Sequence, residues 1–161
     1  MSLGLMGGGP RSQFSSGRPI QRGQIRLRGR VLVVDDSSDG RWMISQILRC
    51  LGLEVDVAPG GQVAIQNALF ASRGGNPFDL ILMDLEMPDM DGRETTAKLR
   101  SCGYRGLIVA MTSCTDQRNR GKCLDAGCDD VAHKPISFAM LRDVTRRHLP
   151  LDQPSRLAGV A

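Results

Sequence analysis

The chain has 161 residues, of which 41% are hydrophobic and 24% are charged, and this composition predicts one globular domain with a single core. It contains neither the roughly 18 to 20 consecutive apolar residues of a membrane span nor an apolar secretory segment, so we expect a cytoplasmic protein without membrane contact. Aromatic residues account for only 4% of the sequence, which argues against a nucleic-acid partner.

The net charge of +4 arises in the N-terminal segment. Residues 1–30 contain six arginines and no acid, which leaves 15 of the 21 basic residues against all 17 acids and a net charge of −2 for the rest. The segment is rich in Gly and Ser, which is typical of a disordered linker or tag, with a nucleic-acid-binding arm as the alternative. We predict that residues 1–29 add nothing to the fold, that 30–149 form the domain, and that 150–161 form a tail.

The five cysteines include no Cys-X-X-Cys pair, and their odd number argues against a disulfide framework. We therefore predict free thiols. The two histidines stand apart from any pair of cysteines, so a zinc site is not indicated. We expect His133 to be a partly buried strand residue and His148 to lie on the surface or at the end of the last helix.

Five short apolar runs rich in β-branched residues recur along the chain. Three of them are apolar at nearly every position, which is typical of strands covered by helices on both faces. The predicted strands cover residues 30–34, 53–57, 78–83, 106–111 and 130–133.

A segment of helical length follows each run. In the first, apolar residues recur at helical spacing from Ile44 to Leu51, with Ser38 or Asp39 as the N-cap. Similar spacing predicts the second, third and fifth helices. The fourth segment, residues 115–127, has little apolar face and contains Gly121, so its sequence favours a helix least.

Five strand–helix repeats predict an α/β fold, because parallel strands are joined by right-handed helical crossovers. The expected architecture is a flavodoxin-like, doubly wound sandwich with a parallel five-stranded sheet of order 2-1-3-4-5. In such a sheet the ligand crevice lies between the carboxyl ends of strands 1 and 3.

Polar side chains stand where four of the predicted strands end, and the topology brings these ends to one edge of the sheet. Taken singly, an Asp at a strand end is usually a helix cap or a turn residue. The combination favours a site. Its members are Asp35 and Asp36 after strand 1, Asp84 after strand 3, Thr112 and Ser113 after strand 4, and Lys134 after strand 5.

The chemistry of this edge indicates phosphoryl transfer. Clustered carboxylates repel one another unless a cation compensates them, and sparse oxygen ligands fit Mg²⁺. Lys134 and Thr112 would add a positive charge and a hydroxyl around a transferred phosphoryl group. Asp84 would then be the nucleophile and would form an aspartyl phosphate.

Five motifs, in this order and spacing, resemble the receiver domain of two-component response regulators, especially receivers attached to hybrid histidine kinases. The motifs are "VLVVDD", "DLILMDLEMPDMDG", "AMTS", "DAGCDD" and "HKPI", and the resemblance covers roughly residues 30–149.

The resemblance implies a role for each position. Asp84 is the expected phosphoacceptor, and Mg²⁺ would be held by Asp36, Asp84 and the backbone carbonyl of Glu86, with Asp35 acting through water. Thr112 is the expected switch hydroxyl, and Lys134 is the expected contact of the phosphoryl group. The Lys134–Pro135 peptide bond is expected to be cis, which would direct the lysine into the site. The domain would catalyse its own phosphotransfer and dephosphorylation.

The resemblance also implies partners. The phosphoryl donor would be the phosphohistidine of a sensor histidine kinase or of a histidine phosphotransfer protein, and a homodimer would form through the fourth helix, fifth strand and fifth helix. The chain would be the C-terminal receiver of a hybrid kinase or, alternatively, a stand-alone regulator.

One position departs from the family pattern. Val131 stands three residues before the lysine, where the family usually has a Tyr or Phe as a second switch residue. This puts the aromatic half of the switch in doubt, but neither the fold nor the phosphorylation.

Two other functions fit the sequence less well. A hydrolase of the haloacid-dehalogenase type would need an Asp two residues after the nucleophile, and Glu86 stands there instead. An interaction module that has lost phosphorylation is disfavoured, because the acids, Thr112 and Lys134 are all present.

Overall fold

The computed structural model describes residues 27–151, and within this range five strands alternate with five helices. The strands are β1 (Arg30–Val34), β2 (Glu54–Ala58), β3 (Leu80–Asp84), β4 (Leu107–Thr112) and β5 (Asp130–His133). The helices are α1 (Ser38–Cys50), α2 (Gly61–Arg73), α3 (Gly92–Ser101), α4 (Gln117–Asp125) and α5 (Phe138–His148). Among the described residues, none of the helices is long and apolar enough to cross a membrane.

The strands form one parallel sheet in the order β2-β1-β3-β4-β5, which confirms the predicted fold and topology. The predicted strands at 53–57, 78–83 and 106–111 each end one residue before the end of the corresponding observed strand. In β3 and β4 the apolar run ends there, but the backbone pairing continues for one more residue. β3 and β4 therefore end on the polar residues Asp84 and Thr112.

Two apolar layers enclose the sheet. One layer packs under α2, α3 and α4 through residues such as Ala68, Leu99 and Cys123. The other packs under α1 and α5 through residues such as Leu48 and Leu141. Every residue of the central strand β3 is buried, as its unbroken apolar sequence predicted.

The helix α4 forms even though its sequence favoured a helix least. Cys123 is its only buried residue. At its start the Asp116 side chain accepts a hydrogen bond from the Arg118 N–H at 3.1 Å, which caps the helix. The helix therefore depends on its cap and on a narrow contact with the sheet.

Two sequence predictions about single residues were wrong. The N-cap of α1 is Ser37, because it is extended and its hydroxyl accepts the Gly40 N–H at 3.2 Å, whereas Ser38 and Asp39 are already helical. His133 is exposed rather than partly buried, because it ends the edge strand β5. His148 does end the last helix, as expected.

Leu27 belongs to the segment 1–29 that is expected to add nothing to the fold, and it packs against the domain. Leu27 is buried, donates its N–H to the Leu51 carbonyl at 3.0 Å and forms a bridge with Leu151. Packing therefore extends beyond the predicted range of 30–149. Residues 1–26 of the predicted linker (1–29) and residues 152–161 of the predicted tail (150–161) lie outside the described residues.

Candidate functional site

The carboxylate of Asp84 lies at the carboxyl end of β3, where only 2% of the residue is exposed. The Glu86 N–H donates to Asp84 Oδ1 at 3.0 Å and helps to orient this carboxylate. Behind it, a Cβ atom at Gly92 would lie 2.2 Å from the Asp84 carbonyl oxygen. Glycine at position 92 therefore allows the start of α3 to pack against the backbone of Asp84.

Asp35 and Asp36 follow β1 and complete an acidic cluster with Asp84. One carboxylate oxygen from each of the three residues lies within 4.8 Å of the others, with Asp35 and Asp84 buried and Asp36 exposed. Burial raises the pKa of Asp35, and the charges of Asp84 and Asp36 raise it further, against the effect of a hydrogen bond from Ser37. This electrostatic strain and the oxygen-only donors fit a divalent cation.

Contacts from the N-cap and the first turn of α1 hold the acid pair in place. The Ser37 N–H donates to Asp35 Oδ1 at 2.7 Å. The Arg41 guanidinium donates through Nη1 to the carbonyls of Asp35 at 2.7 Å and Asp36 at 3.0 Å. Sequence reasoning missed Arg41, because an arginine in the first turns of a helix carries no local signal for such a contact.

Lys134 reaches the cluster from β5. The Lys134–Pro135 peptide bond is cis, as the resemblance implied. Lys134 Nζ lies 2.8 Å from Asp84 Oδ1 and 3.4 Å from Glu86 Oε2. Burial alone would lower the pKa of Lys134, but the hydrogen bond and charge of Asp84, together with Glu86, raise it. The ammonium therefore stays charged beside Asp84.

Thr112 joins this group through Glu86. Its Oγ1 atom lies 3.5 Å from Glu86 Oε1 and accepts the Cys114 N–H at 3.0 Å. Ser113 donates its N–H to Glu86 Oε1 at 2.9 Å and its hydroxyl to Oε2 at 3.0 Å. The backbone N–H of Ser113 is the main cause of the lowered pKa of Glu86.

The structure thus brings together all the residues that the sequence placed at the strand ends. The sequence does not predict the contacts of the Glu86 side chain with Lys134, Thr112 and Ser113. Val131 is buried within the core on β5. The five cysteines are free thiols, as predicted.

A parallel sheet of this order, with three carboxylates and a lysine at its carboxyl edge, defines a flavodoxin-like α/β domain with an acidic site at that edge. The chain belongs to the response regulator receiver domain family, whose model matches residues 31–146. It is a receiver domain of two-component signalling systems.

Individual relatives agree with this assignment. The chain is 34% identical over 116 residues to two-component response regulator 24 of Arabidopsis thaliana, covering 72% of this chain and 81% of the relative. It is 34% identical over 128 residues to hybrid signal transduction histidine kinase L of Dictyostelium discoideum, covering 76% of this chain but only 7% of that protein. A structure of the chemotaxis protein CheY4 of Vibrio cholerae superimposes with a TM-score of 0.69 at 31% identity, covering 76% of this chain and 99% of that one.

Proposed function

We propose that this domain accepts a phosphoryl group on Asp84 from a phosphohistidine, in a reaction that requires Mg²⁺. The observation that carries the proposal is the buried Asp84 carboxylate, which lies 2.8 Å from Lys134 Nζ and beside the carboxylates of Asp35 and Asp36. A buried carboxylate that is both crowded by acids and paired with an amine is suited to nucleophilic attack on phosphorus.

The transfer would follow from the positions of these groups. An Asp84 carboxylate oxygen attacks phosphorus, the new O–P bond forms as the bond to the donor nitrogen breaks, and the imidazole leaves with the electron pair. Lys134 and the hydroxyl of Thr112 offset the negative charge on the phosphoryl oxygens. Burial of Asp84 keeps the reacting oxygen in a fixed position.

The carboxylates of Asp36 and Asp84 and the backbone carbonyl of Glu86 would hold Mg²⁺, and Asp35 would act through water. When bound, the ion supplies positive charge that offsets the carboxylates and the incoming phosphoryl oxygens. The dense carboxylate cluster fits this assignment.

The metal proposal predicts that Mg²⁺ stabilises the protein. An ion that binds only the folded state adds about 2.7 kcal/mol at a concentration one hundred times its Kd. In thermal unfolding, Mg²⁺ should raise the Tm of the parent, and Asp36→Asn should remove most of this rise. Without Mg²⁺, Asp36→Asn should be at least as stable as the parent, because one repelling charge is gone.

The matched control is Asp39→Asn, which neutralises an exposed acid in the first turn of α1. It should leave the response to Mg²⁺ unchanged. Equal loss of the response in both variants would show that Asp36 has no specific role in holding the ion.

Phosphoramidate tests the proposed function, because its P–N bond models that of phosphohistidine. With Mg²⁺ present, incubation should add one phosphoryl group to the intact protein, and a chelator should prevent the addition. An adduct that forms equally well with the chelator would contradict the proposed reaction.

A protein donor would approach the edge that carries Asp36. The helix that follows this residue exposes Trp42 by 68% and Met43 by 41%. Large apolar side chains on a surface are typical of protein contacts. We propose this part of α1 as a contact surface for a sensor histidine kinase or a histidine phosphotransfer protein.

The wider context is also a proposal. Similarity to a short part of hybrid signal transduction histidine kinase L supports placement in a hybrid histidine kinase. Similarity to response regulators supports the stand-alone alternative. The homodimer stays a prediction. Its expected interface is formed by α4, β5 and α5, where Leu124 is exposed, and analytical ultracentrifugation would test it.

The conformational response should centre on Thr112 rather than on Val131. Val131 is buried on β5, and a β-branched side chain has few rotamers, so it cannot make the large swing of an aromatic ring. On addition of beryllofluoride with Mg²⁺, we expect amide chemical shifts to change most in residues 112–116. Equally large changes throughout α4, β5 and α5 would contradict this expectation.

A further inference from the structure

The side chain of Glu86 contacts four donor groups near the end of β3, two of which belong to Ser113. Its Oε2 atom lies 3.4 Å from Lys134 Nζ, and its Oε1 atom accepts the Ser113 N–H at 2.9 Å. Thr112 Oγ1 lies 3.5 Å from the same Oε1 atom. The Ser113 hydroxyl donates to Oε2 at 3.0 Å. One carboxylate therefore reaches an ammonium, a backbone N–H and two hydroxyls.

A phosphoryl group on Asp84 would need donors of the same kind. Its oxygens are negatively charged, and Lys134 already lies within hydrogen-bonding distance of the Asp84 carboxylate, at 2.8 Å. The Glu86 carboxylate is itself an anion with two oxygens. In the unphosphorylated protein it accepts hydrogen bonds from donors that would otherwise be available to a phosphoryl group.

We propose that the Glu86 side chain is an internal competitor of the phosphoryl group. It occupies the donors of Lys134, Thr112 and Ser113 before transfer and leaves them when Asp84 is modified. The side chain is 46% exposed, so water can replace these donors when the carboxylate leaves them. This role is separate from that of the Glu86 backbone carbonyl, and it rests on the proposed function of Asp84.

Two physical effects make the competition costly for the phosphoryl group. The contacts of Glu86 must break first. The measured affinity for a phosphoryl group is therefore lowered in proportion to the fraction of molecules in which the donors are free. A displaced carboxylate that stays nearby also repels the new negative charge. Removing the charge of Glu86 relieves both effects.

Beryllofluoride, a mimic of the phosphoryl group, provides the test. Its binding to the protein in saturating Mg²⁺ is followed by fluorine NMR in the parent and in Glu86→Gln. Glutamine keeps the size of the side chain but loses the charge-assisted contacts, so the variant should bind about tenfold more tightly. The matched control, Glu54→Gln, changes an exposed glutamate at the start of β2 and should match the parent.

A second variant loosens Glu86 without changing it. Ser113→Ala removes the hydroxyl that donates to Glu86 Oε2 at 3.0 Å and keeps the backbone N–H. It should bind beryllofluoride about twofold to threefold more tightly than the parent. If the Glu86 side chain instead helped to hold the phosphoryl group, both variants would bind less tightly.

The outcomes separate this inference from the function on which it rests. Unchanged or weaker binding in Glu86→Gln, with normal binding in the parent, would overturn the competition and leave Asp84 as the acceptor. A parent and variants that all fail to bind beryllofluoride in Mg²⁺ would overturn both the competition and the proposed site.

Discussion

Replacing Asp84 with Asn should abolish the phosphoryl adduct that acetyl phosphate forms with the parent in Mg²⁺. The amide nitrogen and oxygen fill the place of the carboxylate, but the side chain no longer supplies an anionic nucleophile. The P–O bond to acetate would then stay intact. Intact mass after incubation should show the unmodified chain alone.

The variant should stay folded, because Asn keeps the shape of Asp84 and relieves repulsion from Asp35 and Asp36. Asp89→Asn is the matched control, since it removes an exposed acid from the loop between β3 and α3. It should be modified like the parent. Persistence of the adduct in Asp84→Asn would show that another residue accepts the phosphoryl group.

Replacing Gly92 with Ala should cause a large loss of stability. The added Cβ would lie 2.2 Å from the Asp84 carbonyl oxygen and 2.9 Å from the Asp84 carbonyl carbon, so backbone must move. Overpacking of this kind costs about 3 kcal/mol in the free energy of unfolding. Urea unfolding should give this loss, and phosphorylation should slow because the displaced backbone carries the acceptor.

The same substitution at Gly121 should have the opposite effect and raise the free energy of unfolding. Gly121 lies within α4, and a Cβ there would meet no atom within 4 Å. Alanine is the better helix former, so this variant should gain about 0.5 to 1 kcal/mol. Equal effects at the two positions would mean that the close approach of Gly92 to Asp84 is not a constraint.

The sheet and its reactive edge were predictable because they follow from short-range patterns. Apolar runs marked the strands, and the rule for parallel sheets placed their carboxyl ends together. Asp84 illustrates this point, because an unbroken buried strand that ends on a carboxylate must present it at that edge. Strand ends were off by one residue because backbone pairing continues beyond the apolar positions.

Contacts made by long side chains could not be predicted in the same way. Arg100 donates from α3 to the Gly127 carbonyl at 2.9 Å and to Asp129 Oδ2 at 2.8 Å, and so ties α3 to the approach to β5. Glu86 reaches Ser113 across 27 positions of sequence. A flexible side chain has many accessible partners, and only the packed backbone selects among them.

The central claim is that Asp84 itself carries the phosphoryl group. Loss of the adduct in a variant is indirect evidence for it, because Asp84 also belongs to the acidic cluster proposed to hold Mg²⁺. Borohydride reduction converts an aspartyl phosphate to homoserine, which marks the modified position. Peptide mapping of the parent after phosphorylation and reduction should find homoserine at position 84 alone. Homoserine at position 35 or 36, with aspartate intact at position 84, would contradict the account.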